Sequence, residues 1–468
     1  MSDYAEKRGK RAAILLAIIA LFLVIYLLPT PQGLSVEGKR SLALILCTTL
    51  MWMSGALPVG MVAMAALLLL PLLGLCTLPE EADLFSEPVL FFMISSYVVA
   101  NALSVSGLDK RITLILALAS HGNAKRLLFI IMMSAAILSM VLSDMGVVMM
   151  TLPIILLILK ATGCTPGQSN YGKAIMIGLP VAALIGGMGT PAGSSTNVLT
   201  LTVLENTANI QISFLQWSCL GIPIVLILTP IAYKIVSLVY KPEITELKGM
   251  EDARSQLNAL GALKSKEKKF IVIMCLIILV WLTESIHGLP IAITTTFGAI
   301  LFFLPGIDIL TWENTKNHIL WDVILVVCSC VALGTIIWQS GAAEWIAGYI
   351  SMLLAGKGLV FMLIVLGLVI AYAHLVCPVN PTIVSIFVPI ACTVAMAQGI
   401  NPATLAIPIG FLVSAACLIP LDAIPLVCYA TGYFKMTEMF KSGFFIVIAW
   451  VLVVTGVMMV LGPVLGIM

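Results

Sequence analysis

Long apolar runs separated by short polar and basic turns recur from one end of the chain to the other. After Arg11 an apolar run reaches from Ala12 to Leu28 with no small-residue cleavage site at its end, so it reads as a retained first helix rather than a signal peptide. Further membrane-length runs fall near residues 40–56, 58–77, 87–105, 173–206, 212–238, 268–286, 289–304, 320–338, 402–430 and 441–466. Two segments behave differently. Residues 126–160 and 359–398 are broken midway, at SDMG (143–146) and CPVNP (377–381), and each side of the break is short for a crossing. That pattern predicts re-entrant hairpins. The runs 173–206 and 402–430 are interrupted too, by GTPAGSSTN (189–197) and PLDAIP (420–425), and read as broken helices.

Composition agrees with this reading. Of 468 residues, 61% are hydrophobic and only 10% charged, whereas a soluble domain carries about a quarter charged residues. The chain is expected to be an all-α polytopic membrane protein, with the lipid bilayer as its surroundings and no nucleic-acid partner. The 11 cysteines lack CxxC or Cys/His metal spacing, so Cys47, Cys275, Cys328 and Cys377 read as small buried hydrophobes. Basic residues set the orientation. With the amino terminus in the cytoplasm and both broken segments re-entering, Lys110, Arg111, Lys125, Arg126, Lys160, Lys173, Lys234, the 241–269 loop, Lys316, Lys435 and Lys441 all fall inside. Lys39, Arg40 and Lys357 fall outside, as does the carboxyl terminus.

An internal repeat organises the runs. VLFFMISSYVVANALSVSGLDKRI (89–112) lies over VILVVCSCVALGTIIWQSGAAEWI (323–346) at constant offset, sharing Ser106-Gly107 and Ser340-Gly341. The hairpins correspond as well, with Pro153 over Pro389 and Asp144 over Asn380. An odd number of crossings between the copies makes the repeats inverted, the arrangement of secondary transporters. The expected organisation is a tail and first helix (1–30), a first repeat (31–240), a cytoplasmic linker of solvated charges (241–267) and a second repeat (268–468). An interrupted membrane helix exposes backbone groups that persist only where they line a cavity or meet a ligand. Freed helix amino termini attract anions and freed carbonyls attract cations.

Segments VLFF…SGLDKRI, WDVIL…SGAAEWIA, GGMGTPAGSSTN and TGYFKMTEMFKSGFF (431–445) together resemble the divalent anion/sodium symporters, the dicarboxylate, citrate and sulfate carriers of the ion transporter superfamily. The resemblance spans nearly the whole chain. It implies an amino-terminal helix, two inverted five-helix repeats each with a hairpin, a homodimer, and a transport part that moves as an elevator. It also implies that substrate meets Ser143, Asp144, Met145, Ser194, Ser195, Thr196, Asn197, Asn380, Thr382 and Asp422, and that a cation meets Ser139, Ser143, Asp144, Gly193 and Asn380. The family's Ser-Asn-Thr tips are here Ser143-Asp144-Met145 and Val379-Asn380-Pro381. In the second half Leu375, Pro378 and Leu421 offer no side-chain oxygen, which implies fewer coupled sodium ions or a different coupling ion.

Asp144 and Asp422 stand out, because an acidic side chain at membrane depth marks an ion path, proton relay or binding site. The alternative for Asp422 is a helix cap facing water. His374 reads as a hydrogen-bonded structural histidine, and Asn101 as a bond to a neighbouring helix. The function expected is secondary transport of small organic anions of the di- or tricarboxylate class across a bacterial inner membrane. No cofactor is expected beyond a coupling ion, Na+ or H+, and exchange is the other possible mode. A sodium/proton exchanger or an inorganic anion (sulfate) carrier on the same fold is the alternative. Enzyme and channel readings find no HExxH, no GxSxG with a base and no TVGYG filter.

Overall fold

The computed structural model describes residues 2–78, 87–354, 356–375, 377 and 379–468. Among the described residues there is no strand, and one isolated bridge pairs Asn123 with Glu246. Leaving aside one-turn helices, the order begins α1 (Ser2–Leu27), α2 (Val36–Ser54), α3 (Val59–Leu72), α4 (Pro88–Ser106) and α5 (Leu108–Leu118). The first hairpin, α6 (Ala124–Ser139) and α7 (Asp144–Thr162), precedes a broken helix, α8 (Asn170–Gly187) and α9 (Ser195–Ala208), and then α10 (Phe214–Val239). The linker carries α11 (Met250–Leu260), followed by α12 (Ser265–Leu282) and α13 (Ile291–Leu301). The order of helices from α4 to α10 then recurs. It runs α14 (Trp321–Gln339), α15 (Ala342–Leu354), a broken segment of α16 (Leu359–Ala373) and α17 (Asn380–Ala397), a broken helix of α18 (Ala403–Leu412) and α19 (Ala423–Tyr429), and α20 (Met436–Leu461). Six of these helices, α4, α7, α10, α14, α17 and α20, are long and apolar enough to cross a membrane. Of these, α7 and α17 are the second arms of the two broken segments, so the expectation that both sides of each break are short for a crossing is corrected: each helix begins within the polar break and runs on past the apolar run that the sequence pattern shows.

Differences from the sequence reading are local. The amphipathic α5 and α15 were hidden, because short helices with one polar face give no membrane-length run. Each follows a shared Ser-Gly. Gly107 (φ 81) and Gly341 (φ 73) take the left-handed conformation that turns a spanning helix into its amphipathic successor, and a side chain there would be strained. The 267/268 boundary falls inside a helix, since α12 already starts at Ser265. Cys275 is exposed rather than buried, on the outer face of an apolar helix where lipid replaces protein as its surroundings.

Packing repeats as the order does. In each half the first hairpin arm and the last helix pack on the first piece of the broken helix: α6 and α10 on α8, α16 and α20 on α18. The two halves also interlock, with α9 lying on α17 and α19 on α7. Small residues make these approaches possible, as expected where dispersion rather than hydrophobicity drives association. A Cβ on Gly221 of α10 would overlap the Gly189 carbonyl in the first break. In the second half a Cβ on Gly443 of α20 would overlap the Cys417 carbonyl in the second break.

The linker is less solvated than its charges suggest. Glu243 accepts from Ser169 Oγ and from the Tyr171 amide at 2.8 Å, and the Leu247 amide donates to Gly122 O at 2.7 Å. The Lys248 amide donates to Thr162 Oγ1 at 3.1 Å, so the strap touches both ends of the first hairpin. Glu267 is buried against Arg111 Nε at 2.7 Å, while Arg111 Nη1 donates to Gly261 O at 2.8 Å. A cavity of about 340 Å³ lies beside this strap, lined by Asp109, Lys110, Met149, Pro153, Leu157 and Gln256 among others, away from the breaks.

Gly443→Val tests the close approach in the second half. It should destabilise the protein by about 1–3 kcal/mol or more, read as a lower melting temperature in detergent. Gly456→Ala on the same helix, where an added Cβ meets nothing within 4 Å, should leave the melting temperature unchanged or raised.

Candidate functional site

The first break is held shut by its own polar residues. Asn197 is 0% exposed, and its Nδ2 donates at 2.7 Å to Gly187 O, a carbonyl at the end of α8, and at 2.8 Å to Thr190 O, which also accepts from the Gly193 amide at 3.2 Å. Thr190 Oγ1 donates to Met140 O at the tip of the first hairpin. From α10, Trp217 Nε1 donates to Met188 O at 2.9 Å. Gly193 fits where a Cβ would collide with the carbonyls of Gly187 and Ser139, so break and hairpin tip meet backbone to backbone.

Oxygen atoms collect at this meeting. Ser139 is 0% exposed and its Oγ has no hydrogen-bond partner, nor has Asn197 Oδ1. A Cβ on Gly187 would stand 3.2 Å from Asp144 Oδ2, which puts the carboxylate against the end of α8. Asp144 opens α7, where its Oδ1 accepts from the Met145 amide at 2.9 Å. Carbonyls, a free hydroxyl and a carboxylate so arranged are the donor set a hard monovalent cation prefers.

The second half is built differently. Asp422 caps α19, its Oδ1 accepting from the Ile424 amide at 2.9 Å, and its Oδ2 accepts from Asn380 Nδ2 at 2.9 Å. Asp422 is therefore a cap and also a tie to the second hairpin tip. Asn380 Oδ1 is left buried without a partner. His374, 5% exposed, lies near the Leu412 and Val413 backbone, yet neither ring nitrogen has a hydrogen-bond partner. The expectation of a hydrogen-bonded histidine is corrected here. The imidazole is enclosed where α16 ends against the end of α18, and that packing supplies no aligned partner.

The predicted residues divide accordingly. Ser139, Asp144, Gly193 and Asn197 meet at the first break, and the carboxylates of Asp144 and Asp422 are within electrostatic reach of each other. Ser143 and Met145 flank Asp144 at the partly buried tip. Ser194 and Ser195 are partly exposed at the start of α9, with Ser194 Oγ 2.9 Å from Thr196 Oγ1. Thr382 follows Asn380 by two residues and is 2% exposed, with its hydroxyl 3.6 Å from Cys330 Sγ on α14. Leu375 and Leu421 are exposed. Pro378 lies outside the described residues. Sequence reasoning missed Tyr97 on α4, which is within electrostatic reach of Asp144. The available signal was a Tyr97/Asn101 pair four residues apart in an apolar helix; Asn101 itself donates to Thr315 Oγ1 at 3.2 Å.

Helices broken around a polar centre inside an otherwise apolar bundle define a membrane transporter rather than an enzyme, and comparison with known proteins carries the assignment further. Residues 9–468 match the sodium:sulfate symporter transmembrane region, and the chain belongs to that family. It is 26% identical to the sodium-dependent dicarboxylate transporter SdcS of Staphylococcus saprophyticus, over 96% of this chain and 91% of that one. The SdcS protein of Staphylococcus aureus (strain COL) is 25% identical over 96% and 90%. Among solved structures, the YdaH transporter of Alcanivorax borkumensis aligns with a TM-score of 0.53 at 14% identity, over 80% of this chain and 85% of that one. MtrF of Neisseria gonorrhoeae, described within a class of antimetabolite efflux pumps, aligns with a TM-score of 0.52 at 13% identity, over 96% and 94%. These two establish the likeness of fold alone. The chain is an integral membrane transporter for anions.

Asn197→Ala should lower the melting temperature, because it strips the buried Gly187 carbonyl of its donor and leaves Thr190 O with the Gly193 amide alone, at a cost of about 1–3 kcal/mol. Ser194→Ala, at a partly exposed hydroxyl, should leave it within about a degree, since changes at such positions stay within roughly 0.5 kcal/mol. Differential scanning fluorimetry on the purified protein reads both.

Proposed function

We propose that the protein is a secondary carrier that moves small organic anions, with carboxylates as the starting class because relatives of this chain are named as dicarboxylate transporters, and that the movement is coupled to sodium. The observation that carries this reading is the set of oxygens at the first break, where the Ser139 and Gly187 carbonyls close on Gly193, Asp144 stands against Gly187, and the buried Ser139 Oγ has no partner. A sodium ion bound there neutralises Asp144 beside the start of α9, whose first amides carry no side-chain cap and suit a carboxylate. Cation and anion then each strengthen the other's binding, which is the physical content of symport.

The domain arrangement belongs to the same proposal. Residues 31–240 and 268–468 are read as inverted repeats, supported by the recurring helix order, the paired Ser-Gly corners and the matching glycine contacts at Gly221 and Gly443. The amino terminus is placed in the cytoplasm and the carboxyl terminus outside a bacterial inner membrane, on the distribution of lysine and arginine. A homodimer and an elevator motion follow from family resemblance. Cation exchange without anion movement is the second reading, favoured by the two neighbouring carboxylates.

The test is flux into proteoliposomes holding the purified carrier, with labelled mono-, di- and tricarboxylates and sulfate, under sodium and proton gradients imposed in turn. Carboxylate uptake driven by inward sodium is expected. Sodium-dependent proton movement with no anion flux would establish the exchanger instead. Asp144→Asn should raise the sodium concentration for half-maximal uptake by about tenfold or more, the equivalent of ~1.4 kcal/mol. An unchanged sodium dependence would remove Asp144 from the coupling site.

A further inference from the structure

Resting on the carrier reading above, the charge and donor balance of the centre narrows its substrate. Two carboxylates, Asp144 and Asp422, are within electrostatic reach of each other. Among the described residues no lysine or arginine forms an ion pair with either. A cation coordinated with Ser139 and the Gly187 and Ser139 carbonyls can compensate Asp144. Nothing comparable stands beside Asp422. Its carboxylate is fixed by the Ile424 amide and by Asn380 Nδ2, so the amide donor of the second hairpin tip is already committed to a residue of the chain. The other end of that amide, Asn380 Oδ1, is a buried acceptor without a partner next to the same carboxylate.

An anionic group brought to the second half therefore meets a carboxylate and an acceptor oxygen, with the nearest donor spent. Like charges in a poorly hydrated site repel strongly, and a buried acceptor facing an acceptor costs both their hydration. A donor-bearing group meets the opposite situation, because it satisfies Asn380 Oδ1 and Asp422 together. The first half differs. There Ser194 and Thr196 hydroxyls bond only to each other at 2.9 Å, at the uncapped start of a 14-residue helix, and one carboxylate finds both hydroxyl and amide donors.

We propose that Asp422 sets the charge class of the substrate. The centre takes a carboxylate with a single negative charge and an ammonium or hydroxyl donor at its far end, and it turns away the dicarboxylate dianion. In this proposal the built-in carboxylate of Asp422 takes the place of the second carboxylate of such a dianion, so rejection comes from an introduced repulsion as much as from a lost attraction.

Four probes of matched length separate charge from donor: succinate, β-alanine, 3-hydroxypropanoate and propanoate. Each competes for uptake into proteoliposomes holding the full-length carrier, and each is scored for thermal stabilisation of the wild-type protein in sodium. β-Alanine and 3-hydroxypropanoate should compete at least about tenfold better than succinate or propanoate. In Asp422→Asn, which keeps an acceptor for the Ile424 amide, the preference for β-alanine over succinate should fall by about tenfold or reverse. Asp422→Ser serves if the amide variant does not fold, and the wild-type stabilisation series stands without any variant.

Succinate matching or exceeding β-alanine in the wild type would overturn the proposal while leaving the carrier intact. So would an unchanged preference in Asp422→Asn. Propanoate equal to β-alanine would remove the donor half of it. Absence of flux or stabilisation with every anion tried, sulfate included, would instead remove the carrier reading beneath it.

Discussion

Lipid offers no hydrogen bonds, so every backbone group freed by a break inside the bilayer must find a partner within the protein. The rest of this structure depends on how the two breaks meet that demand. In the first, Asn197 bonds two carbonyls, Thr190 reaches the hairpin tip and Trp217 anchors Met188 from the neighbouring helix. The glycines at 193 and 221 let backbones close on one another where a larger residue would hold them apart, and Gly187 leaves room for the Asp144 carboxylate. A polar loop this well supported is held on several sides, and Ser139 Oγ and Asn197 Oδ1 are left unpaired beside it.

The second break meets the same demand with a charge. Asp422 supplies the acceptor for the Ile424 amide and ties the segment to Asn380 of the hairpin. A cap on an exposed helix end costs little, but at this depth a carboxylate changes what the neighbouring space will accept. The two halves share helix order and packing, so the difference in chemistry arises from a few positions at the tips and breaks. In the proposed reading, asymmetry on a repeated frame assigns the cation to one half and the choice among substrates to the other.

The linker adds a mechanical element. Residues 243–248 touch both ends of the first hairpin, and α11 packs against α5 before Arg111 and Glu267 close the strap. Any displacement of the hairpin relative to α5 must therefore move or strain this connection. Net charge gave no sign of it, because the bonds run from backbone amides and from single acidic residues to partners distant in sequence.

The pattern of apolar runs alone determined that the chain is all-helical and membrane-bound, and it located the four interruptions at 143–146, 189–197, 377–381 and 420–425, because lipid forces apolar runs of a set length and makes every interruption conspicuous. It also singled out Asp144, Asp422 and Asn197, since polar groups are rare in such runs. It did not reveal α5 and α15, which are too short and amphipathic to stand out, nor Tyr97, whose importance rests on a helix far away in sequence. Tertiary structure alone decided that Thr382 meets Cys330, that His374 is buried unpaired, and that Asn380 spends its donor on Asp422. Those facts depend on which side chains face each other across packed helices, and a one-dimensional pattern holds no record of rotation or depth.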